Sequence, residues 1–130
     1  MNTEMLHPVV GGLVLLVSLV VGIWAVLPAR GGHAPGLGLR LGVVLGLTLL
    51  VIQVLIGSDL VFRLGLRPIA GPLALVHMGA PYLALLGAAY HVFGPARNRV
   101  KNYAIAMLLT FGLGLISYGI GEVGQRAIGT

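Results

Sequence analysis

Cysteine is absent from the 130 residues, which removes disulfides, thiolate metal sites, iron–sulfur clusters and cysteine nucleophiles together. Acidic residues are almost as scarce, with Glu4, Asp59 and Glu122 making up the whole set of three. No nucleophile, base and orienting acid therefore fall together at one depth, which disfavours a conventional hydrolase. Charged residues of both signs reach only 8%, against about a quarter in soluble domains. A water-soluble fold is excluded.

What fills the chain instead is apolar: 58% of residues are hydrophobic and the mean hydropathy is +1.03. A membrane span needs about 20 mostly apolar residues, and four such runs with short connectors account for nearly the whole sequence. The predicted spans cover about 9–27, 41–62, 73–93 and 103–120. Pro28 and the stretch from Arg30 to Gly36 end the first, Arg67-Pro68 and Gly71-Pro72 separate the second from the third, and Gly94-Pro95 stops the third. The opening Met1-Asn2-Thr3-Glu4 lacks a basic n-region, so the first run reads as a retained helix. The fold class is all-α, a single integral membrane four-helix bundle over residues 1–130.

Orientation follows from the basic residues. The first and third connectors carry Arg30, Arg40, Arg97, Arg99 and Lys101 and no acid, whereas the other side holds Arg63, Arg67 and Arg126 with every acid in the chain. By the positive-inside rule both termini lie on the non-cytoplasmic side. The expected location is the inner membrane of a prokaryotic-type cell, multi-pass. Topology accounts for the net charge of +5, so lipid is an expected partner and nucleic acid is not. Small residues recur at close-packing spacing, Gly38, Gly42 and Gly46 on the second span and Ala80, Ala84 and Ala88 on the third. Tight helix packing explains such ridges.

Ionisable residues inside a span are expensive and therefore informative. His77 lies about four residues into the third span, roughly 6 Å below the boundary, and His7 stands just ahead of the first span on the same side. Two neutral imidazoles facing each other suit a six-coordinate haem iron; the plainer alternative is that both hydrogen-bond within the bundle. Pro81, four residues after His77, removes the donor that would bond the His77 carbonyl, so a kink is expected and the freed carbonyl can accept from a neighbouring helix. Arg63 and Arg67 stand on the outer loop where haem propionates would need cations, or act as ordinary interfacial arginines. His91 shares a helix face with His77, roughly 21 Å away, but its only inner partner would be His33 in a Gly/Pro loop, so a second haem is not expected. Without cysteine or a carboxylate at the depth of His77, a closed tetrahedral zinc or copper set is not assembled.

The segments Leu6-His7-Pro8-Val9-Val10-Gly11-Gly12, Gln53-Val54-Leu55-Ile56-Gly57 and Leu73-Ala74-Leu75-Val76-His77 resemble one half of the haem A synthase family and, more loosely, small four-helix membrane b-type cytochromes. The likeness covers about three of the four helices. It implies a four-helix bundle in which histidines at the positions of His7 and His77 bind haem. The family has two such halves, an outer-loop catalytic glutamate and often a cysteine pair, whereas this chain has one half and no cysteine. The resemblance thus implies architecture and one bis-histidine haem b, not synthase activity.

Two functions fit this reading. The first is electron transfer by a haem b protein with His7 and His77 as axial ligands and Arg63 or Arg67 on the propionates, exchanging electrons with quinol or a periplasmic carrier; Gln53, Asp59 and Tyr82 are the candidate quinone contacts. The second is a cofactor-free accessory subunit of a larger respiratory or photosynthetic complex. A transporter ranks last, because the span centres offer little beyond Ser18, Thr48, Gln53 and Thr110.

Overall fold

In apolar surroundings a backbone can satisfy its hydrogen bonds within one segment only as a helix, and all four apolar runs are helical. The computed structural model describes residues 3–64, 72–95 and 98–128. They form α1 (Thr3–Arg30), α2 (Leu37–Leu64), α3 (Pro72–Phe93) and α4 (Arg99–Ile128). Each contains a stretch long and apolar enough to cross a membrane: Glu4–Arg30, Leu37–Arg63, Pro72–Phe93 and Arg99–Val123, of 27, 27, 22 and 25 residues. The all-α, four-helix reading therefore holds. The helices run past the apolar runs that reveal them, because polar flanks continue a helix until a breaker or cap intervenes. His7 and Pro8 consequently lie inside α1 rather than ahead of it.

The breakers act as their chemistry requires. Gly32 takes φ +67° just beyond α1, and the His33 N–H donates to the Pro28 carbonyl at 3.2 Å, the closure of a Schellman motif. Gly94 N–H donates to the Tyr90 carbonyl at 2.8 Å at the end of α3. The Arg99 guanidinium covers another terminal carbonyl, that of Val92, at 3.0 Å. Asn98 caps α4, its Oδ1 accepting the Lys101 N–H at 3.0 Å.

Around the bundle the order is α2, α1, α4, α3. Packing is extensive between α1 and α2, α1 and α4, and α3 and α4 and sparse between α2 and α3, while α1 and α3 stand across the diagonal of the bundle. The larger core cluster, with Val21, Val43, Ala88 and Met107, fills the half of the bundle nearer the α1–α2 and α3–α4 connectors. A smaller one, with Val10, Val14, Leu50, Val54 and Ala84, lies toward the terminal end, where α1 begins and α4 ends. The small-residue ridges are packing surfaces. A Cβ on Gly42 would stand 2.9 Å from Val21 Cγ2, and Ala84 and Ala88 are fully buried. Mid-helix hydroxyls are satisfied locally: Ser18 donates to the Val14 carbonyl at 2.6 Å and Thr110 to that of Ala106 at 2.8 Å.

Candidate functional site

The smaller core cluster leaves the terminal end of the bundle incompletely filled. All four helices line a cavity of about 390 Å³ there, within the range of small-molecule sites, about 300–1,000 Å³. Its walls are apolar except for a few convergent groups. His7 and Gln53 stand on one side, His77 and Ser117 on the other, with Glu4 and Glu122 on the terminal rim.

His7 on α1 and His77 on α3 meet across the diagonal of the bundle, their ring centroids 6.3 Å apart and their planes at 67°. The His77 ring is fixed from α4. Its Nδ1 lies 2.7 Å from the Ser117 carbonyl, and since a carbonyl only accepts, Nδ1 carries the proton and Nε2 keeps its lone pair. The Ser117 hydroxyl returns the bond, donating to the His77 carbonyl at 2.8 Å. This is the carbonyl that Pro81 deprives of its helical donor, so the freed acceptor is taken up by the neighbouring helix.

His7 is held from α2. Gln53 Nε2 lies 3.2 Å from His7 Nδ1 and 3.5 Å from Nε2, while Gln53 Oε1 is buried with no hydrogen-bond partner. Exchanging the amide oxygen and nitrogen keeps these contacts and makes Gln53 the acceptor of Nδ1–H, which frees the His7 Nε2 lone pair. Gly57, one turn beyond Gln53, backs the same ring: a Cβ there would stand 3.2 Å from His7 Cε1. Gly121 does the same for His77, at 3.1 Å. Both imidazoles thus rest on glycine backbone, and a larger residue would displace them.

The remaining sequence-predicted residues are placed as follows. Arg63 is exposed, forms an ion pair with Asp59 one turn earlier on α2, and is not part of the cavity wall. Arg67 lies outside the described residues. His91 packs edge-on against Tyr90 with centroids 5.4 Å apart, and its Nδ1 is buried without a partner among the described residues. His33 is exposed in the α1–α2 connector.

Sequence reasoning missed Ser117, although the freed carbonyl of His77 called for a hydroxyl on an adjacent helix at matching depth. It also missed the Asp59–Arg63 pair, legible from its i, i+4 spacing. A third feature is the bridge between α2 and α3. Ser58 donates to the Val54 carbonyl at 2.7 Å, so the Tyr82 hydroxyl is the donor in its 2.6 Å contact with Ser58 Oγ.

Among the described residues no group of three or more His, Asp or Glu side chains is placed to hold a metal. Metal–imidazole bonds are about 2 Å long, and two imidazoles sharing one ion would have ring centroids about 6 Å apart, close to the 6.3 Å between His7 and His77. Fold and site together thus describe an all-α bundle of membrane-length helices enclosing a paired-imidazole cavity. No family model, curated protein or solved structure matches the chain.

Proposed function

We propose that this chain is a membrane-embedded b-type haem protein taking part in electron transfer, with His7 and His77 as the axial ligands of one haem. The observation that carries the reading is the 6.3 Å separation of the two rings inside a cavity built from all four helices. Metal-bound imidazoles characteristically donate their second ring N–H to a carbonyl or comparable acceptor, and Ser117 supplies one to His77. Gln53 can play this part for His7. Haem, when bound, supplies reversible one-electron chemistry whose potential is tuned by burial and hydrogen bonding. Arg63, at the terminal end of α2 and paired with Asp59, would have to be shared between that carboxylate and a propionate.

The four helices cross the inner membrane with both termini on the non-cytoplasmic side, an orientation supported by the acid-free basic connectors between α1 and α2 and between α3 and α4. The haem then lies near the non-cytoplasmic face, where quinol or a periplasmic carrier can exchange electrons with it. The deciding experiment is a dithionite-reduced minus oxidised spectrum with a pyridine haemochrome assay on detergent-purified protein made with adequate haem. Stoichiometric haem b that disappears in His77→Ala, with insertion preserved, is the expected result. A colourless wild-type protein, or an unchanged spectrum in His77→Ala, removes the assignment.

A second reading has its own support. Both imidazoles already have hydrogen-bond partners inside the bundle, and the rim of the cavity carries Glu4 and Glu122. A cofactor-free accessory subunit of a larger respiratory or photosynthetic complex would use the same residues as packing points. The same colourless result would favour it, and co-purification from native membranes would then identify the complex.

A further inference from the structure

The end of the bundle opposite the histidines carries a second concavity, a groove of about 310 Å³ between α1 and α4. Val26 and Ala29 form its wall on α1, and Ala104, Ile105 and Leu108 form it on α4. Two cations close it at the bundle end, Arg30 from the last turn of α1 and Lys101 from the first turn of α4. We propose that this groove binds one anionic diacyl phospholipid, its phosphate between Arg30 and Lys101 and an acyl chain along the apolar wall.

Charge complementarity carries the inference. Every acid of the chain, Glu4, Asp59 and Glu122, belongs to the far end of the bundle, and the two connectors at this end contain none. Nearby cations have uses of their own, Arg40 donating to the Pro35 carbonyl at 3.2 Å and Arg99 to that of Val92. Arg30 and Lys101 are exposed and face the groove. Lys101 also stands at the positive end of the α4 dipole, with no acid in that first turn, where a cation is unfavourable unless an anion is close. A phosphate there would answer both side chains and the helix end.

The groove has the matching apolar part. Ile105 and Leu108 are 36% and 38% exposed, so a chain laid between the helices would contact side chains that the bundle leaves uncovered. Basic recesses between membrane helices on the cytoplasmic side recognise acidic lipid headgroups in this way. Protein cations near a membrane surface each contribute several-fold to anionic-lipid binding, roughly thirty-fold for two. The inference requires membrane insertion but is independent of the haem assignment.

The test is native mass spectrometry of the detergent-solubilised full chain, titrated with phosphatidylglycerol or with phosphatidylcholine of identical acyl chains. One saturable phosphatidylglycerol adduct, bound at least ten-fold more tightly than phosphatidylcholine, is expected. Arg30→Gln with Lys101→Gln should abolish the preference, and each single variant should weaken it, whereas Arg40→Gln, the same charge change as either single variant at the same end, should retain it. Ile105→Trp, which fills the groove and keeps both cations, should weaken the adduct at least five-fold. Equal binding of the two lipids, equal losses in the Arg40→Gln control and the double variant, or an unaffected Ile105→Trp protein each overturns the proposal. So does a bound acidic protein segment displacing the lipid from protein purified from native membranes. Should the double variant not fold, the Ile105→Trp and Arg40→Gln proteins still decide the matter.

Discussion

The exchange of hydrogen bonds between His77 and Ser117 permits a quantitative test. Pro81 cannot donate to the His77 carbonyl, and the Ser117 hydroxyl does so from α4 at 2.8 Å. Removing that hydroxyl leaves a carbonyl in apolar surroundings without its replacement donor. Buried unsatisfied acceptors cost about 1–3 kcal/mol, whereas interhelical hydrogen bonds in membrane proteins average about 0.6 kcal/mol. Ser117→Ala is therefore expected to destabilise by about 1–1.5 kcal/mol, the upper side of the membrane range, because the missing helical donor leaves no fallback. Pro81→Ala restores an N–H one turn after His77. In that background Ser117→Ala should cost only about 0.5 kcal/mol, since the carbonyl then keeps one partner. The four proteins of the cycle can be compared by reversible unfolding in mixed detergent micelles followed by circular dichroism. Equal costs in the two backgrounds, to within the usual additivity error of about 0.3–0.5 kcal/mol, would refute the claim that Ser117 replaces the donor lost to proline.

Two further outcomes follow from the packing, readable in the same unfolding assay. Gly42→Ala places a Cβ 2.9 Å from Val21 Cγ2, and a β-branched neighbour has little rotamer freedom to yield, so a loss of about 1–3 kcal/mol is expected from overpacking. Gly12→Ala meets nothing within 4 Å and should gain about 0.5–1 kcal/mol by restricting the unfolded chain; similar effects at both sites would contradict the assignment of Gly42 to the α1–α2 contact. Arg63→Ala breaks an exposed ion pair with Asp59 and should cost only about 0.3–0.5 kcal/mol. A loss well above 1 kcal/mol would give Arg63 a structural role that its exposure does not suggest.

The helices were legible because apolar runs and breakers are local properties. Gly31-Gly32 and Gly94-Pro95 stop α1 and α3 by their own backbone chemistry wherever the helices pack, whereas Pro28, expected to end the first span, lies inside α1, which continues to Arg30. The start of α1 was less legible. The apolar run starts near Val9, which set His7 just ahead of the first span, yet the helix extends through the polar residues before it and α1 begins at Thr3, with Pro8 inside it. His7 and His77 stood out because histidine is costly in an apolar run. Their partners did not, since which residues of α2 and α4 share their depth is set by helix packing and not by hydropathy. Gln53 and Gly57 were noticed as a spacing, but their common contact with His7 emerges only when α2 lies against α1. Ser117 is forty positions from His77, and one serine among the polar residues of α4 carries no local mark of that contact.

The two imidazoles belong to helices on opposite corners of the bundle, and α4 lies against both and sets the gap between them. That arrangement makes α4 a strut for a gap it does not itself border with a histidine: His77 is tied to it through Ser117, while His7 is tied to α2 through Gln53. A slide or tilt of α4 against α1 or α3 would therefore change the separation of two rings carried by other helices, so the spacing of the pair is a property of the whole bundle and not of either histidine.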